Sequence, residues 1–84
     1  MTATQYIDHL LNDGFTANRW DMAAHRQVEK HLPSNQRVKV CFDADDQVFT
    51  VIRFDRHEVA WEATFTNLTP VAVVAATVTA ALAV

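Results

Sequence analysis

Four histidines, a cluster of three aspartates and one cysteine are the side chains of this chain suited to metal binding or covalent chemistry. His9 and Asp13 are four apart, a spacing that brings them together on one helical face, but two donors without a third make a poor zinc site. His25 and His31, six apart, fall on opposite sides of a helix and share no ion. Asp43, Asp45 and Asp46 would open an EF-hand calcium loop only with Gly at its sixth position and Glu at its twelfth. Counting from Asp43, those positions hold Val48 and Phe54, so the cluster reads as a solvated hairpin turn. Cys41 would need a base and a positive field to become a thiolate nucleophile. Lys39 shares its strand face, yet a lone cysteine in a strand reads as a small packing residue. No glycine-rich phosphate loop, nucleophile elbow or paired-carboxylate arrangement occurs. The expectation is a protein that is not an enzyme, with no catalytic residues, no metal and no cofactor.

The basic residues offer a different chemistry. Arg19, Arg26, Lys30, Arg37 and Lys39 fall between Ala17 and Val40 against only Asp21 and Glu29, whereas residues 41–62 carry six acidic and two basic side chains. On a helix Arg19, Arg26 and Lys30, spaced by seven and four, share one face, with Asn18 and Gln27 available to base edges. That predicts, as the alternative function, a winged-helix-like nucleic-acid reader with its second helix in the major groove. The net charge of −3 counts against it.

Several elements must position these groups. A first helix is predicted from Thr4 to Asp13, with Tyr6, Ile7, Leu10 and Leu11 on one stripe and Gly14 as a left-handed stop. A second is predicted from Ala17 to Leu32, where Trp20, Ala24, Val28 and Leu32 recur every four residues and Pro33 ends the run. Three strands follow at Arg37–Asp43, Val48–Phe54 and Val59–Phe65, joined by short turns into an antiparallel meander. The middle strand is apolar on both faces, which predicts that both are covered. Thr69 and Pro70 open a C-terminal helix, with Thr69 as its cap. The expected fold is α+β, a single domain over residues 1–84 in the order α-α-β-β-β-α.

After Pro70 only Thr77 and Thr79 interrupt a run of Val, Ala and Leu, so this helix has no wet face. At 17 apolar residues at most, with no flanking Arg or Lys, it falls short of the roughly 20 needed for a membrane span. Val73, Val74, Ala76, Ala80 and Val84 are instead expected to let a second copy approach, which predicts a homodimer. Eighty-four residues, half of them hydrophobic, point the same way, because a chain this small has a marginal core. A single cysteine and an N-terminus unlike a signal peptide predict a cytoplasmic setting.

The segment Trp61-x-Ala63-x-Phe65-Thr66-x-x-Thr69-Pro70-x-x-Val73-Val74-Ala75-Ala76-x-x-x-Ala80-x-Leu82 resembles a motif of actinobacterial domains of unknown function, common in streptomycetes and their mobile elements. The resemblance implies a strand packed by its own following helix and brings no activity or catalytic residues with it. Together these readings predict a small interaction or regulatory module of an actinobacterium or actinophage, binding itself and an unidentified protein partner, with nucleic acid as the alternative partner and no membrane.

Overall fold

A computed structural model describes residues 1–83. Helix α1 (Ala3–Asn12) leads into strands β1 (Thr16–Ala17), β2 (His25–Leu32), β3 (Gln36–Asp43), β4 (Val48–Asp55) and β5 (Glu58–Phe65), and helix α2 (Val71–Leu82) closes the chain. The strands form one antiparallel sheet in the order β1-β2-β3-β4-β5. Both helices lie on one of its faces.

Helix α1 is defined by its ends. Thr2 accepts from the Gln5 backbone N–H at 3.1 Å while the Gln5 side chain accepts from the Thr2 N–H at 2.8 Å, a reciprocal capping box. At the other end Gly14 adopts φ +94° and the Phe15 N–H reaches back to the Leu10 carbonyl at 3.0 Å, a Schellman closure that buries Phe15 beside Leu10. The expected stripe faces the sheet, with Tyr6, Ile7 and Leu10 buried.

The expected second helix does not exist. Residues 25–32 form strand β2, so the fold has one N-terminal helix and five strands rather than two helices and three strands. The physical reason is arithmetic. An apolar repeat of four suits one helical face, but four is also twice the strand period, so Val28 and Leu32 share a face of a strand equally well. Tertiary pairing decides between them, because β2 matches β3 residue for residue from His25↔Asp43 to Leu32↔Gln36. The Pro33–Asn35 segment, expected to end a helix, instead turns a hairpin with Ser34 and Asn35 both left-handed, at φ 63° and 59°. Asparagine tolerates that conformation because its side chain can bond locally.

The three later strands fall within a residue of their expected bounds. Asp43 shapes the β3–β4 turn, its carboxylate accepting from the backbone N–H groups of Asp45 and Asp46 at 2.9 and 3.3 Å. Alternation then sorts the sheet. Val28, Val38, Val40, Phe42, Phe49 and Val51 face the helices and are buried with Val74, Val78 and Ala81 of α2. Each such side chain contributes roughly 1.5–3 kcal/mol by leaving water. Helix α2 starts at Pro70 with no side-chain cap; the Thr69 hydroxyl lies 3.4 Å from that of Thr66 instead of on the helix, which corrects the expected capping role.

The other face of the sheet carries Gln27 and Glu29 of β2, Arg37, Lys39 and Cys41 of β3, and Thr50, Ile52 and Phe54 of β4. No helix or second sheet of the described chain covers it. The expectation of a cover on both sides of β4 is met only at Phe54, over which the Arg37 guanidinium lies 4.1 Å from the ring centroid.

Candidate functional site: the open face of the sheet

The five basic residues expected to act together are divided between the two faces. Arg26 and Lys30 belong to the helix-covered side of β2, and both serve the fold. Arg26 Nε donates to the Asp21 carboxylate at 2.9 Å, a pair whose side chains are each about four-fifths buried. Lys30 Nζ donates to the Asp13 carbonyl at 3.2 Å, placing a cation at the C-terminus of α1, where the helix dipole and unpaired carbonyls favour it. Arg53 does the same for α2: one guanidinium nitrogen donates to the carbonyls of Ala81 and Ala83, and the other to the Gln36 side chain. The shared helical face of Arg19, Arg26 and Lys30 is therefore absent, and the winged-helix reading falls with the helix that carried it.

Arg19, Arg37 and Lys39 converge on the open face. With Asn18, Trp20 and Glu29 they line a shallow cleft of ≈ 460 Å³. The β1–β2 connection builds one wall. Asn18 pairs with Gln27 through its backbone N–H, at 3.2 Å to the carbonyl, and through its side-chain amide, at 3.2 Å to Oε1. The Asn18 side chain also accepts from the Trp20 N–H at 2.9 Å, while Asp21 accepts from the Gln27 N–H at 2.8 Å. These bonds pin both ends of a tight turn whose tip presents Arg19 and Trp20. Trp20 remains 59% exposed, with the Arg19 guanidinium 4.7 Å from its ring centroid.

The floor is β3. Lys39 Nζ stands 5.6 Å from the Phe54 ring, beside Arg37. Among the described residues the ion pairs within 4 Å are Arg26–Asp21, His25–Asp43 and His31–Glu29, so none engages Arg19, Arg37 or Lys39. Arg37 Nε is buried without a hydrogen-bond partner among the described residues. A buried donor left unpaired costs about 1–3 kcal/mol, more when charged. Arg37 also lines an adjoining cleft of ≈ 110 Å³ with His31, Asn35, Arg56 and His57.

Cys41 lies on this face but is a poor nucleophile. Burial pushes its thiol pKa up, and the opposing pull of Lys39 does not offset that, with Glu29 adding to the rise. Its cross-strand neighbours are Gln27 and Thr50, neither of them a base. On the other side of the molecule the seam between the helices opens a cleft of ≈ 410 Å³ lined by Tyr6, His9, Val71 and Ala75. Burial pushes the Tyr6 phenol up to about 12, so it presents a neutral hydroxyl. Among the described residues no three His, Cys, Asp or Glu side chains converge as metal ligands.

The expected self-association residues divide as well. Val73 is 47% exposed, and Ala76 and Ala80 are exposed, but Val74 is buried against the sheet and unavailable to a partner. Val84 lies outside the described residues. Among the described residues no helix is long and apolar enough to cross a membrane. Sequence reasoning missed Trp20, which it placed on a helical stripe, and the edge position of Trp61; neither carries a local signature, because both depend on which strands pair.

No family model matches this sequence, and no curated protein or solved structure is significantly similar to it.

Proposed function

We propose that this chain is a small, non-enzymatic interaction module of an actinobacterial or actinophage protein system, and that it works as a homodimer joined through strand β5 and helix α2. The observation that carries this reading is a set of exposed apolar side chains with an unpaired strand: Trp61, 39% exposed, lies on the edge strand β5, and Val73, 47% exposed, on the helix that follows it. An edge strand offers a row of free N–H and C=O groups, and natural proteins blunt it or pair it. The opposite edge is blunted, since β1 spans two residues. In β5 the blunting is confined to the first half, where Glu58 and a bulge opposite Arg53 and Phe54 break the ladder. From Trp61 to Phe65 the strand is regular.

That regular segment is self-complementary. A two-fold axis through Ala63 sets Trp61 of one copy opposite Phe65 of the other on the helix side, and Glu62 opposite Thr64 on the open side. Aromatic pairs across antiparallel strands are favourable, and no two glutamates meet. Helix α2 extends the same surface. Val74, Val78 and Ala81 point at the sheet and Val71 and Ala75 toward α1, leaving Val73, Thr77 and Ala80 on the flank turned away from α1. The Thr77 hydroxyl donates to the Val73 carbonyl at 3.0 Å, so this flank asks for no polar partner.

Sedimentation equilibrium tests the reading. The native chain should be dimeric at micromolar concentration, and Trp61→Glu and Val73→Glu should each yield a folded monomer with an unchanged circular dichroism spectrum. A native chain that stays monomeric at all concentrations, or a dimer indifferent to both substitutions, would overturn it.

A further inference from the structure

The open face of the sheet is a second, independent surface, and we infer that it binds single-stranded nucleic acid, with phosphates on Arg19, Arg37 and Lys39 and a base stacked on Trp20. The first ground is how the cations are used. On the helix-covered face Arg26, Lys30 and Arg53 are each committed to a carboxylate or to helix-terminal carbonyls. On the open face Arg19, Arg37 and Lys39 share one cleft, and among the described residues none of them has an ion pair within 4 Å and Arg37 Nε has no hydrogen-bond partner. Unpaired cations held together by a fixed turn and a strand attract an anion more strongly than scattered surface charges do.

The second ground is the indole. Trp20 is held out from the turn by the Asn18 and Asp21 hydrogen bonds rather than folded into the core. An exposed aromatic beside a basic groove is the arrangement that stacks an unpaired base, whose face is available in a single strand and hidden in a duplex. The third ground is length. Arg37 is shared with a second, smaller cleft that Arg56, His31 and His57 also line, so cations follow one another along the face as phosphates follow along a strand.

The negative total charge does not oppose this: the cleft holds three cations against one carboxylate, Glu29, the cross-strand neighbour of Lys39. Along β3 the charges are segregated, with Arg37 and Lys39 toward one end and Asp43 at the other, roughly 20 Å from Arg37 at the rise of a strand. A ligand at the cleft meets the local field first, since charges beyond about 8–10 Å are largely screened at physiological salt.

The test is fluorescence anisotropy of a labelled oligothymidylate about 12 nucleotides long, titrated with the full chain at 50 and 200 mM salt. Three phosphate contacts on a single strand predict a slope of about −2 in log K against log salt, hence about a twentyfold loss across that range. Trp20→Ala should weaken binding by about five- to a hundredfold. Arg37→Gln combined with Lys39→Gln should reduce the slope to about −0.7. Lys30→Gln removes a cation from the other face and should leave both affinity and slope unchanged, with circular dichroism verifying the fold of every variant. Absence of binding at 50 mM salt would overturn the inference. So would an equal loss in Lys30→Gln, equal affinity for a duplex of the same length, or displacement of the oligonucleotide by inorganic phosphate at comparable concentration.

Discussion

On the helix-covered face of the sheet Val28, Val38, Val40 and Val51 are completely shielded, whereas on the opposite face of the same strands Phe54 is the one buried side chain among the described residues. The covered face is sealed by two helices, and its cations are used to finish those helices: Lys30 at the end of α1, Arg53 at the end of α2. The open face has no such cover, and its long side chains lie over aromatic rings, Arg37 over Phe54 on the sheet and Arg19 over Trp20 in the adjoining turn. One set of strands thus produces a surface that stores stability and a surface that leaves charge unspent. The difference identifies where binding is to be sought, because a cation already paired inside the fold has little left to offer a ligand.

The largest effect should come from the covered face. Ile7 is fully buried between α1 and the sheet, and Ile7→Ala should lower unfolding stability by about 2–5 kcal/mol in urea titrations, the cost of lost transfer energy and a residual cavity. A loss below about 1 kcal/mol would mean that α1 is only loosely docked.

A somewhat smaller effect concerns Tyr6 on the same face. Its phenol is raised from the ordinary value of 10.0 to about 12 by burial, so the neutral form is the one the fold prefers. Its contribution is complete below pH 10 and is lost as the pH climbs from 10 toward 12, a decline of about 2–3 kcal/mol. Tyr6→Phe should lack that part of the decline. Parallel stability curves for the two proteins above pH 10 would show that the hydroxyl is solvated.

The smallest effect should come from the open face. Lys39→Gln removes no ion pair and exposes little apolar surface, so unfolding stability should change by no more than about 0.5 kcal/mol. A larger loss would place Lys39 among the cations that hold the fold together, and the contrast between the faces would weaken.

How much of this was legible in the chain varies by element. Helix α1 could be read because its stripe, its spacing and Gly14 are local facts that agree with one another. The three later strands could be read because Val38-Val40-Phe42 and Trp61-Ala63-Phe65 alternate with a period that no helix shares, and short turns on both sides bound the apolar run between them. Strand β2 could not, since an apolar repeat of four satisfies both periods, and the charges at 26 and 30 then looked like one exposed face. The acidic turn at Asp43 was legible as a turn because carboxylates bond locally to the following N–H groups. The candidate sites were legible only as residue types: the five cations were noticed, but not that the fold would spend two of them on Asp21 and Asp13.

By itself the sequence determined the α+β class, the extent of α1 to within a residue and its stop at Gly14, the acidic turn at Asp43, the three later strands and the apolar character of α2, because each follows from propensities and hydrogen bonds within a few residues. Only the tertiary structure decided that residues 25–32 are a strand, that Val74 is core while Val73 is surface, that β5 is an edge, and that Arg19, Arg37 and Lys39 meet. Those outcomes depend on pairing between segments distant in the chain, where the energy gained by closing a sheet outweighs an ambiguous local preference.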